Sequence, residues 1–134
     1  MIDKQYYSWD DIDWMIDTLA RNIAEDCQKS DKTPAQAFKG VYGIPRGGLV
    51  MAVMLSHTLE LPYVESLNGM YGEKFLIVDD ISDTGVTLER MMNTDVFKYA
   101  KIATLNYHKQ SVVVPDFWVE EKKDQWIVYP WESD

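Results

Sequence analysis

Cysteine is almost missing from this chain. Cys27 is the only one in 134 residues, so no disulfide can form within the chain. It falls in a helical apolar pattern and reads as a core thiol, which fits a reducing cytosol and an expected cytoplasmic location. Histidine is nearly as scarce. His57 and His108 lie far from each other and from Cys27, which leaves no metal-ligand cluster and no nucleophile–base pair. Long apolar runs are absent, and none reaches the roughly 20 residues that a membrane helix needs. Positive charge is also short. Thirteen Lys and Arg face 22 Asp and Glu, for a net charge of −9, and that balance disfavours nucleic-acid and anionic-membrane partners. The first residues lack a basic stretch followed by an apolar one, so no signal peptide is read there. No repeat or low-complexity tract appears. With 46% apolar and 26% charged residues, the composition is that of a soluble globular protein. The length suits one domain, 1–134, able to bury a real core.

The most informative stretch runs from residue 76 to residue 88. Leu76, Ile77 and Val78 end in two adjacent carboxylates, Asp79 and Asp80. A third, Asp83, follows, and Thr84, Gly85, Val86 and Thr87 then open what reads as a helix. A buried strand would carry the acids to its carboxyl end, where ligands sit in open α/β sheets. A small hydroxyl-bearing turn at a helix start is suited to an anion. Acids beside an anion site make sense if they hold sugar hydroxyls or a divalent cation rather than the phosphate itself.

This stretch resembles the phosphoribosyl-pyrophosphate (PRPP) motif of the type I phosphoribosyltransferases. Val86 is one departure, because purine members often have Gly or Lys there; its backbone N–H is retained. Two further segments extend the resemblance in family order. Ile44, Pro45, Arg46, Gly47 and Gly48, between a strand and an apolar helix, resemble the pyrophosphate loop. Paired glycines let backbone approach a ligand, and Arg46 adds charge at a helix start. Trp126, Ile127, Pro130, Trp131 and Glu132 resemble the C-terminal hood, about 108–134, of xanthine-, guanine- and hypoxanthine-type members.

Along the chain, Ser8 followed by Asp11 marks a helix start. Ile12, Met15, Ile16, Leu19, Ile23 and Cys27 recur at helical spacing, and the helix should fade near residues 29–32. Residues 37–43 read as the first core strand and 61–65 as a short one. Asn68 and Gly69 read as a tight turn. The motif strand starts at Phe75, a helix covers 86–92, and another strand covers 102–107. His57 receives no role. The connector at 66–74 is short where active family members carry a long mobile loop. Slow turnover with some loss of PRPP to water is therefore expected, unless a second subunit covers the site.

The expected fold is α/β: a single-domain, mainly parallel twisted sheet flanked by helices, with a small C-terminal hood. The resemblance implies a PRPP-dependent transfer of the phosphoribosyl group to a 6-oxopurine (hypoxanthine, guanine or xanthine) with release of pyrophosphate. It implies Mg²⁺ as cofactor and a homo-oligomer, dimer or tetramer. Asp79 and Asp80 would hold the ribose hydroxyls and metal, and Thr84, Gly85, Val86 and Thr87 the 5′-phosphate. Arg46 and Gly47 would meet pyrophosphate, with Arg46 and Asp83 the catalytic pair. Asp83 would face N7 of the base. Trp126 would stack on the purine, beside Ile127. A Lys of the family, placed at the end of the 102–107 strand, would hold the exocyclic oxygen. The register there is open between His108 and Lys109, with Lys109 preferred because an ammonium always donates. Trp131 reads as a core anchor. The alternative function is a PRPP- or nucleotide-sensing module with this fold and little turnover.

Overall fold

The computed structural model describes residues 3–69 and 72–133. The chain opens with an edge strand β1 (Lys4–Tyr6) and a long helix α1 (Trp9–Gln28). Ser8 caps α1 through a reciprocal capping box with Asp11, at 3.1 and 2.8 Å, the arrangement the Ser–x–x–acid spacing encodes. One stripe of α1 is buried, from Ile12 through Met15, Ile16, Leu19 and Ile23 to Cys27. Its exposed face carries the acids.

A one-turn helix α2 (Pro34–Ala37) precedes β2 (Gly40–Gly43). The expected strand at 37–43 therefore starts later. Thr33 and Gln36 form a second capping box, and Pro34 sits at the first helical position, where its missing N–H costs nothing. Helix α3 (Gly47–Leu59) follows, then β3 (Phe75–Ser82), α4 (Val86–Met92), a 3-10 turn (Asp95–Phe97) and β4 (Lys101–Tyr107). Two short strands, β5 (Glu120–Glu121) and β6 (Trp126–Val128), complete the hood.

Every strand pairing among the described residues is parallel. One sheet has the order β2-β3-β4-β5, and β1 pairs with β6 in a second. The segment 61–65 is not a strand. Tyr63 makes only an isolated bridge to Val41, flanked by hydrogen bonds from Val41 N to Pro62 O and from Val64 N to Val41 O, both 2.9 Å. Pro62 has no N–H with which to extend a ladder. The turn at Asn68 and Gly69 is present, with Gly69 at φ +76°. Within the connector, residues 70–71 lie outside the described residues, as do residues 1–2, where no signal peptide is expected.

Strand β3 is buried on both faces. Leu76 and Val78 join the core beneath α1 and α3, while Phe75 and Ile77 join a second cluster with Leu88, Phe97 and Ile102. This is the alternation a central parallel strand requires. Among the described residues, no helix is long and apolar enough to cross a membrane. At the carboxyl end of β4, a buried polar network ties the hood to the sheet. Asn106 Nδ2 donates to Tyr7 Oη at 2.9 Å, Tyr129 Oη donates to Asn106 Oδ1 at 2.7 Å, and Tyr7 Oη donates to Glu120 Oε2 at 2.8 Å. Burial, ahead of these neighbours, pushes the Tyr7 hydroxyl up to about 12 and Tyr129 well above its usual value. Both stay neutral donors. Tyr129 Oη also lies 3.2 Å from the carbonyl of Asp80, so the network reaches the acid pair.

Candidate active site

The carboxyl ends of β2, β3 and β4 open onto one cleft. Asp79 and Asp80 occupy the last half of β3, where the strand emerges from the core. Asp79 Oδ1 accepts from Asp80 N at 2.9 Å, and Asp80 Oδ1 accepts from Ile81 N at 2.8 Å. Burial first, and then the neighbouring Asp80, push Asp79 up to about 8. Burial likewise raises Asp80. Two adjacent, largely buried carboxylates disfavour each other's charge, which holds a proton on the pair more tightly than on free carboxylates. Hydroxyl donors or a cation would compensate the pair.

The turn after β3 places Thr84, Gly85, Val86 and Thr87 around a hollow of about 150 Å³ that Asp79 and Asp83 also line. Gly85 has φ +80°, and Val112 N donates to Thr84 O at 2.9 Å across the top of the turn. A Cβ at Gly85 would meet Ser111 Oγ and come within 2.8 Å of Val113 N. Both space and backbone conformation therefore demand glycine.

The loop after β2 supplies the opposite wall. The Pro45–Arg46 peptide is cis, and Arg46 stands immediately before α3 with no side-chain capping bond. Arg46, Gly47, Trp131 and Glu132 line a larger cavity of about 650 Å³. Gly47 packs directly on Asp80: an added Cβ would touch its carboxylate, 2.6 Å from Cγ. Gly48 packs on the β3 backbone, where a Cβ would meet the Val78 carbonyl and lie 3.1 Å from Asp79 Cα. The paired glycines thus bring this loop against both acids.

A third hollow, of about 150 Å³, lies under the hood. Asp83 and Ile81 form its floor, with Lys122, Trp126, Ile127 and Tyr129 around it and Glu132 shared with the larger cavity. Trp126 is 57% exposed, which leaves a ring face open for stacking. Trp131 is spent on packing, stacked on Tyr129 at 5.0 Å and tilted against Trp9 at 6.0 Å.

Asp83 lines both smaller hollows, and three side chains converge on it. His108 Nδ1 is 2.9 Å and Gln110 Nε2 3.1 Å from Oδ1, and Lys122 Nζ is 3.1 Å from Oδ2. Burial pushes Asp83 up, but the hydrogen bonds from Lys122 and His108 outweigh it, and the carboxyl lies below its usual range.

The expected site residues therefore converge, with one exception. Asp79, Asp83, residues 84–87, Arg46, Gly47, Trp126 and Ile127 line the hollows, Asp80 lies against Gly47, and His108 bonds to Asp83. Lys109 does not. Its side chain is 81% exposed and points to Glu121 Oε1 at 3.6 Å. The lysine of the hollow is Lys122, only 13% exposed. Its place in the charged run Glu120, Glu121, Lys122, Lys123 gave it the look of solvated surface. The pairing of β4 with β5, Tyr107 opposite Glu121, folds that run back over Asp83. Among the described residues, no cluster of three or more acids, His or Cys could hold a metal by itself. Asp79 and Asp80 nonetheless suit Mg²⁺, which is commonly bound by one or two carboxylates together with substrate phosphates.

An open parallel sheet with an acid pair and a small-residue turn at the carboxyl ends of its strands is the arrangement in which α/β proteins bind anionic ligands. Comparison with known proteins narrows this. Residues 65–133 match the phosphoribosyl transferase domain. The xanthine-guanine phosphoribosyltransferase of Idiomarina loihiensis is 30% identical over 150 residues, covering 95% of this chain and 86% of that protein. The crystal structure of a purine phosphoribosyltransferase from Pyrococcus horikoshii superposes with a TM-score of 0.78 at 33% identity, covering 99% of this chain and 96% of that one. A Helicobacter pylori xanthine-guanine-hypoxanthine phosphoribosyltransferase shares the fold, with a TM-score of 0.78 at 18% identity. The chain belongs to the phosphoribosyltransferase family and is an enzyme of the glycosyltransferase type.

Proposed function

We propose that this protein transfers the phosphoribosyl group of PRPP to a 6-oxopurine (hypoxanthine, guanine or xanthine) and releases pyrophosphate. The observation that carries this reading is the junction at Asp83, where a hollow beside the 84–87 turn meets one beneath the open face of Trp126. That junction suits a nucleotide whose phosphate and base lie on opposite sides of one carboxylate. The names of the relatives point to the same class of base.

In this reading residues 84–87 bind the 5′-phosphate, and Asp79 and Asp80 accept from the ribose hydroxyls. The Arg46–Gly47 loop receives pyrophosphate, with Arg46 countering its charge. When bound with PRPP, Mg²⁺ supplies neutralisation of the leaving group, held on the protein side by Asp79 and Asp80. Trp126 and Ile127 hold the base in line with the ribose carbon, so that positioning lowers the barrier. Asp83 takes the N7 proton as N9 bonds to the sugar, and its ionised state fits it for that acceptance. Residues 1–134 act as one domain, with 108–134 as its hood, in a homo-oligomer.

The short 66–74 connector leaves the slow turnover and hydrolytic loss of PRPP expected above in place, unless a second subunit covers the site. The test is pyrophosphate release from PRPP and Mg²⁺ with hypoxanthine, guanine, xanthine, adenine or uracil in parallel. The 6-oxopurines should support release and adenine and uracil should not. Binding of PRPP with no release on any base would instead support a sensing module.

A further inference from the structure

The 84–87 turn has little of its own to hold it in shape. Gly85 has no side chain, and Val86 N lies 3.4 Å from Thr84 Oγ1, near the limit of a hydrogen bond. Its support comes from the loop that follows β4. We propose that Ser111 is a positioning residue for the 5′-phosphate: it pins residues 108–113 over the 84–87 turn and so keeps that turn in the conformation that receives the phosphate. This rests on the placement of the 5′-phosphate at 84–87.

The loop is tied to β3 at both ends. His108 N donates to Ser82 O, and Val112 N donates to Thr84 O, both at 2.9 Å. Between them Ser111 N donates to His108 O at 2.9 Å, which closes the loop on itself. The Val112 side chain is exposed and packs too little to anchor this segment. The buried Ser111 hydroxyl does so instead. Its Oγ lies 2.6 Å from Ser82 Oγ and 2.6 Å from Val113 O, and Val113 N is 3.3 Å away. A hydroxyl has one proton and two lone pairs. Ser111 spends its proton on Val113 O, ahead of Ser82 at 3.2 Å, and accepts from Ser82 Oγ and Val113 N. The same oxygen lies against the turn: it is what a Cβ on Gly85 would meet first, with Val113 N at 2.8 Å and Val112 N at 3.0 Å next. The base end of the site is held separately. His108 and Gln110 bond to Asp83 Oδ1 through their side chains, and Lys122 holds Oδ2.

The test uses equilibrium binding, so that it does not depend on turnover. Dissociation constants are measured for guanosine 5′-monophosphate and for guanosine, which differ only in the 5′-phosphate, and their ratio reports the phosphate end alone. The proteins are the wild type, Ser111→Ala, and Ser56→Ala, which deletes a hydroxyl bonded to Leu61 O at the far end of α3. Ser111→Ala should fold, because Ser82 Oγ can take over Val113 O; Ser111→Cys, a weaker donor of similar shape, serves if it does not. The wild type should prefer the monophosphate. Either Ser111 substitution should shrink that preference by about threefold to tenfold, the range for a lost hydrogen bond, and quicken amide exchange at residues 85–87. Guanosine affinity should hold, and Ser56→Ala should leave the ratio unchanged even where it lowers the urea midpoint. An unchanged ratio in the Ser111 variants, or an equal fall in Ser56→Ala, would overturn the assignment while leaving the active-site reading intact. A wild type that binds both ligands equally would overturn the placement of the phosphate as well.

Discussion

The two glycines after Arg46 make opposite predictions, although they are adjacent. Neither has a positive φ, so alanine is allowed by the backbone at both. At Gly47 the new Cβ meets only the end of the Asp80 side chain, 2.6 Å from Cγ and 2.8 Å from Oδ1. That carboxylate can rotate away. Doing so gives up the bond from Ile81 N to Asp80 Oδ1, at a cost of about 1 kcal/mol. Reduced freedom of the unfolded chain returns about 0.4–1 kcal/mol. Gly47→Ala should therefore fold within about 1 kcal/mol of the wild type. Its PRPP affinity should nonetheless fall by about tenfold to a hundredfold, because a charged hydrogen-bonding group has left the ribose site. At Gly48 the obstacle is the backbone of β3, the Val78 carbonyl and Asp79 Cα, which cannot rotate aside. Gly48→Ala should lose about 1–3 kcal/mol, as overpacked cores do. Urea unfolding and calorimetric titration with PRPP and Mg²⁺ measure both quantities. Unchanged PRPP affinity in Gly47→Ala, or equal destabilisation by the two substitutions, would refute the reasoning.

Trp126→Ala should raise the KM for the base by about 5-fold to 150-fold, since base stacking is worth about 1–3 kcal/mol; the KM for PRPP and the urea midpoint should barely move, because the ring is 57% exposed. Asp83→Asn should lower kcat by about 10²–10⁴-fold with little change in PRPP binding, as for loss of a proton acceptor. The acid pair makes stability depend on pH. Asp79 is raised from 3.8 to about 8 in the folded protein, so between those values the folded state binds a proton that the unfolded chain has released, and stability falls as pH rises through that window. Asp83 acts in the opposite sense, but its contribution is lost only as pH falls through the ordinary carboxylate range. Thermal melts of the ligand-free protein from pH 5 to 8.5 should show a falling midpoint that Asp79→Asn flattens; a rising midpoint would contradict the assignment.

What was legible in the sequence follows from the range over which each signal acts. The capping box at Ser8 and Asp11 is written within four residues, and so is the turn at 84–87, where Gly85 must take a positive φ. Strand β3 was legible because a central parallel strand reads as a continuous apolar run. The short edge strands were not. Lys4, Gln5 and Tyr6 carry no strand pattern, and they pair only because β6 arrives from more than a hundred residues away. Lys122 was hidden for the same reason. Its neighbours Glu120, Glu121 and Lys123 describe a solvated face, and only the β4–β5 pairing turns one member of that run inward onto Asp83. Local order puts a strand-end lysine at 109, whereas the lysine of the hollow comes from the hood, 39 residues beyond Asp83.

The central claim is that the β3 acids, the 84–87 turn and the hood form one site for a phosphoribosylated 6-oxopurine. A crystal structure of the protein with guanosine monophosphate tests it most directly. The 5′-phosphate should lie within hydrogen-bond reach of Thr84 and Thr87, the ribose hydroxyls against Asp79 and Asp80, and the guanine ring on Trp126 with Asp83 at N7. A nucleotide bound elsewhere, with the 84–87 turn and the Trp126 hollow both empty, would contradict the account.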